Sequence, residues 1–185
     1  MRPDFVAMVD DTVGQILKAL DENGLARDTL LLFTSDNGPV WYDSDTQRFG
    51  HSATTPLRGM KGDAWEAGHR MPFIASWPTT IEPGTSSDQT ISFCDLLATF
   101  ADLVGTELPH GAGPDSFSFL PLLCGEDKEI RPSLAVEAGK NHMSFRSGDW
   151  KLITGKGSGG FSQRGQPMRT AGPDGQLYNL AEDIC

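Results

Sequence analysis

The sequence predicts an α/β fold, a sheet with flanking helices followed by a small antiparallel sheet toward the C-terminal end. Three observations predict it. Val6, Val9, Val13, Ile16, Leu17 and Leu20 recur at helical spacing and lead into an unbroken apolar run over residues 30–33. That run and a second one over residues 73–77 are separated by a long glycine-punctuated connection and followed by another helical pattern, so strand and helix signals alternate. Beyond residue 134 the pattern becomes short alternating stretches around Gly148, which is how a hairpin reads.

Taken in order, residues 4–22 form an amphipathic helix that Asn23-Gly24 stops, because glycine accepts the left-handed backbone of a helix end. A buried strand follows over residues 29–34. The connection over residues 39–71 has few periodic apolar positions, and loops of that length in compact domains are usually functional. Asp43-Ser44-Asp45 within it starts like a calcium loop, yet no glycine follows at the required place and Thr54 stands where a bidentate Glu is needed. After the strand over residues 73–77, Ser92-Phe93-Cys94-Asp95 opens a helix in the manner of a capping box. Its face of Phe93, Leu96, Leu97, Phe100, Leu103 and Val104 is expected to pack in the core, and Gly105 ends it. Residues 117–123, interrupted by Pro121, are expected to form a helical turn docked on the sheet. Residues 143–146 and 149–153 form the hairpin, and residues 176–180 a further strand. Between them, residues 154–175 are rich in glycine and read as a mobile loop. Composition shifts between residues 109 and 132, which places one domain at 1–125 and a smaller antiparallel one at 126–185.

Composition narrows the function. A chain of 185 residues that is 38% hydrophobic can bury a sizeable core. Its net charge of −10 and pI near 4.7 exclude a nucleic-acid binder. No run of 18 apolar residues is present, so no membrane-spanning helix is predicted. The three cysteines are widely spaced and read as buried thiols rather than a disulfide framework or a zinc site.

The chemistry gathers around the first strand. Asp36 and Asn37 follow it at once, and in open α/β sheets the carboxyl edge is where ligands bind. A carboxylate beside an amide oxygen suits Ca²⁺ or Mg²⁺. The loop over residues 56–72 carries Arg58, Lys61, His69 and Arg70, and can bring a cation to the same edge. Metal and ammonium together would hold a tetrahedral oxyanion. Part of that basic cluster also suits structural ion pairs, with Glu66 and Arg70 spaced for one on a helical turn. His142, just before the hairpin, reads as a loop residue that satisfies a backbone group.

Ser35-Asp36-Asn37-Gly38, followed by Pro-Leu-Arg-Gly-x-Lys-Gly-x-x-x-Glu-x-Gly-x-Arg-x-Pro over residues 56–72, resembles the C-terminal portion of a type I sulfatase, an arylsulfatase-like member of the alkaline phosphatase superfamily. The sequence departs from the family's usual Glu-Gly-Gly-x-Arg at Ala67. The resemblance implies a sulfatase-like sheet and sulfate ester hydrolysis, with a sulfated carbohydrate or aryl sulfate as substrate. It implies that Asp36 and Asn37 are ligands of Ca²⁺, with Mg²⁺ as the alternative, and that Lys61 contacts the sulfate. His51 resembles a substrate-facing position.

Family members carry a formylglycine nucleophile, made from a residue in a Cys-x-Pro-x-Arg motif, in an N-terminal segment with two further Asp ligands. Cys94, Cys124 and Cys185 lie in no such context, and Thr54-Thr55-Pro56-Leu57-Arg58 mimics only the spacing. The expectation is therefore a chain that is inactive alone and self-associates. Two alternatives fit the same residues: a phosphoryl or phosphonate ester hydrolase of the superfamily, and a non-catalytic module that binds sulfated glycans.

Overall fold

The computed structural model describes residues 2–163 and 174–184, which fall into two compact units. One gathers residues 1–33, 74–89 and 93–128; the other gathers residues 34–73, 90–92 and 129–185. No helix among the described residues is long and apolar enough to cross a membrane.

The first unit begins with helix α1, Arg2–Glu22. Gly24 takes φ 68°, and the Leu25 and Gly24 amides bond back to the Leu20 and Asp21 carbonyls at 2.9 and 3.0 Å, so the predicted stop is a Schellman motif. A 3₁₀ turn over Ala26–Asp28 comes next, with the Thr29 hydroxyl donating to the Leu25 carbonyl at 2.8 Å. Residues 29 and 30 stay outside the ladder, so strand β1 is shorter than predicted, Leu31–Thr34, and pairs with β2, Phe73–Ser76.

Helix α3, Asp95–Leu103, starts later than the sequence suggests, with Cys94 at its N-cap position. Asp95 faces inward instead: it is fully buried and accepts the Phe117 amide at 2.9 Å. Thr99, one turn on, donates its hydroxyl to the Asp95 carbonyl at 2.7 Å and accepts the Phe119 amide at 3.0 Å. The buried side of α3 is thus Asp95, Thr99 and Ala101. The expected core stripe is overturned: Leu97 and Phe100 are nearly half exposed and Val104 is 72% exposed. Residues 117–119 occupy the polar side of the helix, and that is the side the fold buries. Pro121 sits in the first turn of the short helix α4, Leu120–Leu123, where its missing amide proton costs nothing. Cys94 and Cys124 are exposed rather than buried, because they flank helix ends at the surface; Cys185 lies outside the described residues.

The second unit contains α2, Asp43–Phe49, in the long connection. The Asp45 carboxylate accepts the Tyr42 amide at 3.1 Å, a helix-capping role in place of a calcium loop. Strands β3 (Leu134–Glu137), β4 (Met143–Ser147), β5 (Trp150–Thr154) and β6 (Gly175–Asn179) form an antiparallel sheet in sequential order. Ser147 pairs with Trp150, which leaves Gly148 at φ 54° in a two-residue turn as expected. The alternation is real, but its apolar members Phe145, Leu152 and Leu177 stand in register on the exposed face. Ser144, Lys151 and Ile153 face inward.

The described part of the glycine-rich stretch is packed in rather than standing free as a loop. Gly157, Ser158 and Gly159 are buried. The Ser158 carbonyl accepts the Ala64 amide at 2.8 Å. A Cβ on Gly160 would lie 2.1 Å from the Gly62 carbonyl carbon, so glycine serves close backbone approach there. The rest of that stretch, residues 164–173, lies outside the described residues.

Candidate functional site in the second unit

The residues after β1 are stitched to the 56–72 loop by backbone. The Gly38 amide donates to the Gly68 carbonyl and the Lys61 amide to the Pro39 carbonyl, both at 2.9 Å. A Cβ on Gly38 would lie 1.6 Å from the Ala67 carbonyl oxygen, so no other residue fits at that position. Ala67 itself sits in a 3₁₀ turn, Glu66–Gly68, and is not among the residues with positive φ, which explains why alanine is tolerated where the family has glycine.

This stitching brings Asn37 and Lys61 to the wall of one cavity of about 470 Å³, together with Ser35, Thr54, Leu57 and Arg70. Asp36 is exposed and is not part of that lining. His51 is exposed too: its ring lies edge-on to Trp41 with centroids 5.6 Å apart, and its carbonyl accepts the Trp41 indole N–H at 3.1 Å.

The basic cluster separates by partner. Arg58 lies 3.9 Å over the Trp65 ring and reaches the Tyr178 hydroxyl at 3.4 Å. Arg70, half exposed, pairs with Glu66 at 3.6 Å, the ion pair its spacing suggests. His69 belongs to a buried network that sequence reasoning missed. Lys151, on β5, places its Nζ 2.7 Å from Glu66 Oε1 and 2.9 Å from His69 Nε2, with the Lys151 and Glu66 side chains 2% and 6% exposed. His69 Nε2 also lies 3.5 Å from Glu66 Oε1, and His69 Nδ1 is buried with no hydrogen-bond partner among the described residues. Burial alone would raise the Glu66 pKa, but the His69 hydrogen bond and the Lys151 charge outweigh it and hold the carboxyl at about 2. Burial pulls the Lys151 ammonium below its usual range, against the opposing pull of Glu66. The one available signal was that Lys151 shares a strand face with Ile153, which makes a lysine face inward. By contrast, the Lys61 ammonium has no hydrogen-bond or ion-pair partner among the described residues.

His142 takes the structural role: its Nδ1 and Nε2 lie 3.2 and 3.1 Å from the Lys140 and Lys156 carbonyls.

As metal donors, Asp36 and Asn37 offer one carboxylate and one amide oxygen, both hard ligands of the kind Ca²⁺ takes. Asn37 Nδ2 donates to the Gly38 carbonyl at 3.0 Å, which leaves Oδ1 able to face a cation. The two fit part of a calcium shell. No group of three or more His, Cys, Asp or Glu able to hold a metal occurs among the described residues.

Comparison with known proteins is consistent across sequence and structure. The family model described as Sulfatase matches residues 3–106. An N-acetylgalactosamine-6-O-sulfatase from Bacteroides thetaiotaomicron is 37% identical over 157 residues, covering 82% of this chain and 30% of that protein. Human arylsulfatase A is 39% identical over 132 residues, covering 71% of this chain and 25% of that protein. The PsFucS1 sulfatase structure from Pseudoalteromonas superposes with a TM-score of 0.76 at 28% identity, over 97% of this chain and 36% of that one. The chain thus spans about a third or less of the length of these relatives.

Proposed function

Because the chain belongs to the sulfatase family and corresponds to a C-terminal portion of its members, we propose that it supplies the sulfate-receiving part of a site that hydrolyses sulfate esters. The observation that carries this reading is the Lys61 ammonium, unpaired among the described residues, on the wall of the cavity that Asn37 also lines. An ammonium with free donors and no carboxylate to neutralise it is suited to a sulfuryl group, whose oxygens gain charge as the ester bond breaks. Asp36 and Asn37 would hold Ca²⁺, which when bound adds a divalent charge near the same oxygens. Arg70, paired with Glu66 and half exposed, also lines the cavity. His51, exposed beside Trp41, is available to a substrate from solvent. The likeness to an N-acetylgalactosamine-6-O-sulfatase and to arylsulfatase A favours a sugar or aryl sulfate as the ester.

Cys94 and Cys124 are followed by Asp-Leu-Leu and Gly-Glu-Asp, so neither provides the family's formylglycine, and turnover needs a nucleophile from outside these residues. Two measurements test the reading. An aryl sulfate should shift the side-chain NMR signal of Lys61 whereas the free phenol should not, and Lys61→Ala should abolish the effect. Incubated with the same ester and Ca²⁺, the chain should release no more product than Lys61→Ala. Equal shifts from ester and phenol would overturn the anion-holding role; Lys61-dependent turnover would overturn the missing nucleophile.

A further inference from the structure

Lys61 is gripped at both of its peptide groups by segments remote in sequence. Its amide donates to the Pro39 carbonyl at 2.9 Å, and its own carbonyl accepts the Phe161 amide at 3.2 Å. The turn that carries it is closed by the Asp63 amide on the Met60 carbonyl at 3.0 Å. Asp63, 2% exposed, completes the turn with its side chain. Its Oδ2 accepts the Met60 amide at 2.8 Å and the Ser162 hydroxyl, and its Oδ1 accepts the Ser162 amide at 3.2 Å. A buried carboxylate with three donors is a fixed point, since each lost donor leaves part of a charge unsolvated.

Around it, the backbone of residues 158–161 lies against that of residues 61–64. The Ala64 amide reaches the Ser158 carbonyl at 2.8 Å, and Gly62 accepts the Gly139 amide at 3.0 Å. The backbones approach closely: Gly62 leaves no space for a side chain on Gly160, and Gly62 itself takes φ 76°, which favours glycine. The segment therefore behaves as a strap across the Lys61 turn. Its side-chain lock is the Ser162–Asp63 pair.

We infer that Ser162 and Asp63 are positioning residues for Lys61, holding its turn so that the ammonium is presented to an anion at the cavity wall. The inference rests on the anion-holding role proposed for Lys61. Neither residue is assigned contact with the anion. The strap fixes the backbone from which the lysine side chain projects, and a flexible four-carbon stem on a fixed base loses less freedom on binding than one on a mobile turn.

The test titrates the chain with sodium sulfate against sodium chloride at matched ionic strength, following Lys61 by NMR, in wild type, Ser162→Ala, Ser162→Thr and Lys61→Ala. Ser162→Ala removes only the hydroxyl and retains the backbone bond, so the fold survives. Sulfate affinity should fall about fivefold, the worth of one ordinary hydrogen bond, and the Lys61 amide should exchange faster with solvent. Ser162→Thr, which restores the hydroxyl, should recover both. A structural bond without a positioning role would lower the urea midpoint and leave sulfate affinity unchanged, and that outcome overturns the inference while the anion-holding role stands. A wild type whose Lys61 ignores sulfate would remove the anion-holding role and the inference together.

Discussion

The two units satisfy their buried polar groups differently. In the first, α1 and α3 turn apolar side chains outward, with Val6 and Val104 at least 70% exposed, and what α3 buries is the neutral hydroxyl of Thr99 and the carboxylate of Asp95 against nearby backbone. In the second, a cation joins the buried carboxylates beside a small apolar cluster of Ala64, Ala138 and Ile153: Lys151, Glu66 and Asp63 are each no more than 5% exposed, and each is paired or multiply hydrogen-bonded. Apolar patterning alone therefore does not say which side of an element is covered. A lysine buried against a glutamate fixes the second unit more specifically than apolar contact would, since a buried charge tolerates only its own partner.

The largest effect that would break this comparison is expected at Lys151. Lys151→Met leaves the Glu66 carboxylate to His69 and the half-exposed Arg70, and breaking a buried pair typically costs roughly 3–5 kcal/mol. Val6→Lys on the exposed face of α1 should change stability by less than about 0.5 kcal/mol. Urea denaturation of both variants decides it, and equal costs would erase the distinction between the units.

Acid should act on the same pair more gently. The Glu66 carboxyl is held at about 2 when folded against an unperturbed 4.5, so its contribution is complete above pH 4.5 and lost as pH falls toward 2. The urea midpoint should drop across that window, and Glu66→Gln should flatten the drop.

The first unit's outward apolar faces predict self-association of the 20.0 kDa chain. Sedimentation should show species heavier than a monomer, and Val9→Lys with Phe100→Lys should shift them toward it. A monodisperse monomer that binds no hydrophobic dye would sharpen the comparison differently, by showing that these faces need no cover.

The smallest effect is expected for calcium. Asp36 and Asn37 would provide only two of the six to eight oxygens Ca²⁺ takes, so binding should be on the order of millimolar or weaker. Calorimetry at micromolar Ca²⁺ should not distinguish wild type from Asp36→Ala. A tight site abolished by that substitution would mean that further ligands from this chain complete the shell.

Local signals determined much of this protein. Asn23-Gly24 stops α1 because a left-handed residue is the cheapest way to bond a helix's last carbonyls, and Gly148 sets the hairpin register for a similar reason. The Ser-Asp-Asn-Gly segment and the Pro-Leu-Arg-Gly-x-Lys-Gly loop named the family and pointed to Asn37 and Lys61, which the fold then set on one cavity wall. What only the tertiary structure decided is how that loop is held. Lys151 lies 85 residues from Glu66, and Ser162 lies 99 from Asp63. No local periodicity encodes such pairs, and glycine reads alike whether it loosens a loop or lets two backbones touch. The sheet's direction followed from the same pairs: Lys151 could face inward only because Glu66 and His69 waited there, and its apolar neighbours Trp150 and Leu152, on the opposite side of the pleat, were turned to the surface.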